Sequence, residues 1–98
     1  MKEKETTTNI KQFQLNISGH VQGVFFRQSS LEIANQLKLS GWVCNNDNQT
    51  VSMCIKGTEI NCQKMITWCH QGPPQAKVTK VTIKEESPTF TKNTFIIT

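Results

Sequence analysis

Twice along this chain the spacing of apolar residues changes from two to about 3.6 and back. That double alternation limits the fold more than any other feature. Residues 12–18, QFQLNIS, place Phe13, Leu15 and Ile17 on one side of an extended segment. Residues 25–38 then carry Phe26, Ser30, Ile33, Ala34 and Leu37 on one helical face. Two extended runs follow, 41–45 (GWVCN) and 50–56 (TVSMCIK), joined by turn formers that predict a hairpin. Helical spacing returns over 59–71, with Thr58 as its cap, Cys62, Met65, Ile66 and Cys69 as its inner stripe, and Gly72, Pro73 and Pro74 as its stop. Residues 77–86 are extended again. Val78 is out of phase with Val81 and Ile83, which predicts a bulge at residues 79–80. A short strand is expected over 93–97, with Phe95 and Ile97 facing inward.

The order is β-α-β-β-α-β plus a short terminal strand. Two consecutive strand–helix–strand units of this size predict an α+β, ferredoxin-like split βαβ sandwich, with two helices on one face of a mainly antiparallel sheet. With 98 residues the chain suits one domain and is too short for a (β/α)8 barrel of about 250. Residues 1–10, MKEKETTTNI, read as a flexible polar tail, which leaves 11–98 as the folded domain.

Composition narrows the functional classes. No apolar run approaches the roughly 18 residues that span a bilayer. The polar N-terminus has no export signal, so the expectation is a cytoplasmic protein with no membrane partner. Net charge is +4, but ten of the eleven basic residues are scattered lysines of a solvated surface, and Arg27 stands alone. Cys44, Cys54, Cys62 and Cys69 contain no CxxC pair, which argues against zinc-finger or thioredoxin chemistry and for reduced, partly buried thiols. His20 and His70 are far apart in sequence, and no metal or cofactor is expected. Five phenylalanines lack the pattern of an RNA-recognition sheet, so no nucleic-acid partner is expected.

The segment SGHVQGVFFR joins the first strand to the first helix. Its glycines let the chain turn tightly and gather backbone N–H groups into an anion-binding nest, to which a helix start adds its own unpaired amides. Arg27 falls in the first helical turn and leans back toward the loop, where its planar fork suits two oxygens of one phosphate. An ordinary glycine turn beside a surface arginine is the competing local reading. Asn45 ends the GWVCN strand. Its carboxamide could orient a water, although locally it also reads as the opening of a turn. Neither a GxxxxGK[ST] nor a GxGxxG pattern is present, so nothing points to nucleotides.

Taken in order and spacing, SGHVQGVFFR, GWVCNN and GPPQAKVTKV closely resemble the acylphosphatase family. The family pattern is roughly G-[RHK]-V-Q-G-V-x-[FY]-R, then G-W-V-x-N, then G-P-P-x-A-x-V, and the resemblance covers residues 11–98. It implies hydrolysis of carboxyl-phosphate anhydrides by in-line attack of water. It implies Arg27 as the phosphate-binding arginine, Asn45 as the residue that orients the water, and Gly19, His20, Val21, Gln22, Gly23 and Val24 as the phosphate cradle. The partners implied are a small acyl phosphate and, as competing anions, inorganic phosphate or sulfate, acting on a monomer. Phe25 departs from the pattern, standing where a small residue is usual. Cys44 replaces a frequent Arg or Lys. The alternative is a non-enzymatic ferredoxin-like module that binds RNA or another anion through its sheet. A module serving a larger enzyme, as in hydrogenase maturation, would carry appended domains that these residues lack.

Overall fold

A computed structural model of the chain describes residues 9–89 and 92–98. Its elements are β1 (Ile10–His20), α1 (Phe26–Gln36), β2 (Ser40–Asn45), β3 (Val51–Thr58), α2 (Glu59–Cys69), β4 (Lys77–Glu86) and β5 (Phe95–Ile97). The strands form one sheet in the order β4-β1-β3-β2-β5. β1 is antiparallel to β3 and β4, β2 is antiparallel to β3, and β5 runs parallel to β2. This is the expected α+β, ferredoxin-like plan. Of the tail expected over residues 1–10, residues 1–8 lie outside the described residues. Asn9 Nδ2 donates to Glu59 Oε1 at 2.9 Å, and Ile10 opens β1 opposite Thr58.

Alternation in β1 turns Phe13, Leu15 and Ile17 under the helices. The pairing sets Leu15 beside Met53 and Met53 beside Val43. Extended across all five strands, this row reads Ile83, Leu15, Met53, Val43, Ile97. Exposure runs from 45% at Ile83, through 2% or less at the three central residues, to 37% at Ile97. The helices cover the middle of the sheet and leave its edges open. Ile97 therefore shares the inner face with buried Phe95, as expected, but sits at an uncovered edge.

α1 buries Phe26, Ser30 and Ala34. The Phe26 ring meets Trp68 of α2 with centroids 5.2 Å apart. The helix stops two residues short of the expected 38 because Lys38 turns left-handed (φ 57°). The Lys38 N–H then donates to Asn35 O and the Leu39 N–H to Ala34 O, which closes the end without a glycine and drops Leu39 into the core. At the start of α2, Thr58 Oγ1 accepts from the Asn61 N–H at 3.4 Å, as its sequence position predicts. The bulge also occurs: pairing shifts between Ser18 and Gly19, opposite Lys80 and Val78, leaving Thr79 as the extra residue.

The helix-free face of the sheet is polar along β1, with Gln12, Gln14 and Asn16 in register beside Lys56, Cys54 and Ser52. Half-buried Trp42 is the one aromatic on this face among the described residues, too few for a stacking platform. Gln12 is buried yet fully satisfied. It donates to Glu86 Oε2 at 2.6 Å and accepts from the Thr89 N–H at 2.8 Å, so the chain leaving β4 folds back over it.

All four cysteines are free thiols. Burial pushes Cys69 up to about 12. Burial, with the Glu86 carboxylate adding to it, pushes Cys54 up to about 12. Burial also carries Cys62 to about 11, against a lowering hydrogen bond from Gly57. Such thiols are poor nucleophiles at neutral pH. They also link stability to pH. Once unfolded they titrate near 9.0, so above that pH the unfolded state has released protons that the folded state still holds. Their contribution is complete below pH 9 and is lost as pH rises through 11 to 12, at about 1.4 kcal/mol per pH unit for each thiol still protonated. Urea unfolding at pH 8 and pH 10.5 should show this fall, and Cys69→Ala should make it shallower by one thiol's share. An unchanged slope in that variant would contradict the assignment.

Candidate active site

The loop between β1 and α1 is held down by its own residues. Val21 and Val24 are 1% and 3% exposed, so both ends of the turn are plugged into the core. Gly23 between them has φ 77°, with no atom within 4 Å of where a Cβ would sit, so backbone conformation alone demands glycine there. Gln22 points away from the loop. Its Nε2 donates to Asn46 O at 2.8 Å and to Thr50 O at 3.0 Å, clamping both arms of the β2–β3 turn. That turn is itself closely bonded. Asn46 N–H donates to Thr50 O at 2.9 Å, and Asn46 Nδ2 donates to Thr50 Oγ1 and Ser52 Oγ at 2.9 and 2.8 Å. Asn45, the last residue of β2, is thereby fixed relative to the loop.

Gly19 and His20 do different work. Gly19 sits at the bulge with φ 123°, where a Cβ would collide with Lys77 O. It permits the close approach of β1 and β4. His20 ends β1, paired with Lys77. Of the residues expected to cradle an anion, Val21, Gly23 and Arg27 line one cavity of about 350 Å³, and Asn45 faces it from β2. Gly19, His20, Gln22 and Val24 are not among its lining residues. Phe25, Phe26, Gln28 and Ile97 complete the wall. Sequence reasoning singled out Phe25, as a bulky departure from the family pattern that would narrow the pocket, and did not reach Phe26, Gln28 or Ile97 as site residues. Phe26 lay inside the motif but read as a residue of the buried helix face. Ile97 carries no chemical signal and arrives only because β5 pairs with β2.

The electrostatics favour an anion. Phe25 caps α1 with no side-chain hydrogen bond to the first turn, so the cap leaves the unpaired N–H groups of that turn to another acceptor. Arg27 is half-buried and, among the described residues, has no hydrogen-bond or ion-pair partner. Among the described residues no Asp or Glu lines the cavity. A half-buried guanidinium without a carboxylate, beside a helix N-terminus, is a strong attraction for a compact anion with oxygens to share. The Asn45 carboxamide is likewise free of partners among the described residues, so both its donor and its acceptor remain available.

The acylphosphatase family model matches residues 13–97. An acylphosphatase of Rubrobacter xylanophilus is 40% identical over 82 residues, covering 84% of this chain and 74% of that protein. Among solved structures, an acylphosphatase from Coxiella burnetii superposes with TM-score 0.89 at 34% identity, covering 100% of both chains. The acylphosphatase of Bacillus subtilis superposes with TM-score 0.87 at 32% identity, covering 90% of this chain and 98% of that one.

The Gln22 clamp has a measurable weight. Replacing Gln22 by Leu removes two hydrogen bonds while keeping the side-chain bulk, and should cost about 1–3 kcal/mol in urea unfolding. Amide exchange at residues 46–50 should accelerate more than exchange in β1. Uniform acceleration across the sheet would show that Gln22 supports the whole fold and not this turn.

Proposed function

The chain belongs to the acylphosphatase family and hydrolyses acyl phosphates to a carboxylate and phosphate; from that premise we propose that the phosphoryl group docks against the loop amides and Arg27 while Asn45 holds the attacking water. The observation that carries this reading is the pair of unpartnered groups, Arg27 and Asn45, facing one cavity at an open helix N-terminus. The chemistry explains why so few groups suffice. The leaving group is a carboxylate, stable without a proton, so no general acid has to meet it. Phosphoryl transfer passes through a loose transition state in which little negative charge has to be generated on the nucleophile, so a strong base is also dispensable. Positioning and charge stabilisation remain. The guanidinium and the first-turn amides supply positive potential to the equatorial oxygens. The carboxamide accepts from a water and sets it in line with the departing oxygen.

Inorganic phosphate and sulfate present the same tetrahedral oxygens and compete for the same cradle. Four free thiols, three of them buried, suit a reducing compartment, and we place the enzyme in the cytoplasm, acting as a monomer. Among the described residues no helix is long and apolar enough to cross a membrane.

Arg27→Lys keeps the charge and loses the two-pronged geometry. It should lower kcat/KM by about 10²–10³ and weaken phosphate inhibition, while the thermal transition stays in place. Near-normal turnover in that variant would mean that charge alone matters at position 27.

Asn45→Ala separates binding from chemistry. The carboxamide touches the nucleophile and hardly the phosphate, so turnover should collapse while the inhibition constant for phosphate stays within about twofold, the pattern of a contact made chiefly in the transition state. Because the side chain has no partner in the described fold, stability should barely move. Loss of phosphate affinity in proportion to activity would reassign Asn45 to binding.

A further inference from the structure

The fold does not account for Phe25. Its backbone is left-handed, with φ 68° and ψ 24°, a region that a bulky L residue occupies only under constraint. The residue is 74% exposed, so burial does not offset that conformation. It caps α1 without contributing a side-chain acceptor, where Asn or Gly would suit both the cap and the φ angle. Local stability therefore argues against phenylalanine here. Strained residues of this kind concentrate at functional sites, and this one lines the cavity that holds Arg27 and Asn45.

A second exposed apolar side chain reaches the same cavity from another element. Ile97 of β5 is 37% exposed and lines it, as Phe25 does. The other large exposed hydrophobics, Ile10, Ile60, Ile83 and Ile96, do not. Val21 and Phe26, the remaining apolar wall, are each 1% exposed and belong to the core behind it. The cavity thus has a polar part, formed by Arg27, Gln28 and Asn45, and an accessible apolar part formed by two side chains from different elements.

An acyl phosphate has the same two parts. Its phosphoryl group takes the polar end, and its carbon substituent extends beyond the leaving carboxylate. We infer that Phe25 and Ile97 form an acyl-side subsite, and that the enzyme selects acyl phosphates bearing an aromatic or bulky apolar acyl group over small ones. This rests on the phosphoryl reading of the cavity. The ring offers a face to stack on, and Ile97 offers an aliphatic surface against which a second edge is shielded from water. These contacts form equally in the bound substrate and in the transition state, so they act on KM and leave kcat nearly alone.

The test compares benzoyl phosphate with acetyl phosphate in the intact protein and in Phe25→Gly and Ile97→Thr. Glycine adopts the left-handed conformation and brings no side-chain acceptor to the first turn of α1, so the loop keeps its path and its open amides while the apolar wall is removed. The ratio of kcat/KM for benzoyl to acetyl phosphate should fall about tenfold or more in Phe25→Gly, through KM for the benzoyl substrate. It should fall by about threefold or more in Ile97→Thr, with circular dichroism reporting the fold of both variants. If Phe25→Gly melts lower than the intact protein, the ratio in Ile97→Thr decides. A ratio within twofold of the original, whether both rates move together or neither moves, overturns the subsite and leaves the ring as a surface for some other contact. An intact protein inert toward both anhydrides overturns the hydrolase reading, and this inference with it.

Discussion

Leu15, Met53 and Val43 meet across three hydrogen-bonded strands, and the placing of everything else follows from that row. Side chains on a strand alternate faces, so a slip of one residue in β1 or β2 would turn a buried set toward water. The apolar row therefore fixes register, and register fixes where each strand ends. β1 delivers the loop and α1 at one end of the sheet. β2 delivers Asn45 at the same end, because Asn45 pairs with Val51 just as Ile17 does. A hydrophobic contact with no role in chemistry thus sets the separation of the two residues proposed to carry it.

The second constraint is local. A turn that presents several N–H groups to one side would be free to rearrange if solvent held its other side. Here Val21 and Val24 occupy that other side, and Gln22 ties the turn to the neighbouring hairpin. In the proposed site the positive charge of Arg27 and the open start of α1 are in place before any ligand arrives, which is the condition under which fixed dipoles act most strongly on developing charge. Arg27 fits the same logic. Ten lysines supply most of the positive charge from scattered positions, whereas the single arginine is half-buried at the cavity with, among the described residues, no carboxylate to neutralise it.

Much of this was legible in the chain. Period-two and helical spacings located the seven elements of the described residues, and the misfit of Val78 located the bulge, because both signals come from burial of one face. Boundaries were less legible. The end of α1 depends on Lys38 adopting a left-handed turn that a glycine would have announced. At the site, Arg27 and Asn45 could be singled out by chemical type and by the family pattern. The division of labour within GHVQGV could not. Gly19 answers to Lys77 across the sheet and Gln22 to a turn 24 residues away, and no local pattern encodes either contact. Ile97 reads as inward-facing, and it is, but sequence spacing gives the face of a strand and not whether a helix covers it.

The route of the chain also has a kinetic side. β2 and β3 are joined by a short turn and can find each other early. β1 must wait for β4, and Gln12 meets Glu86 across 74 residues. Closing such long loops costs entropy before any contact rewards it, so strand pairings of this kind slow folding. Until β4 docks, one flank of the longest strand presents a row of unpaired backbone groups beside apolar side chains. That is a surface on which a second unfolded copy can add a strand. The sheet order that assembles the cavity from both ends of the sequence also makes the folding chain open to self-association for longest at the strand that carries the loop.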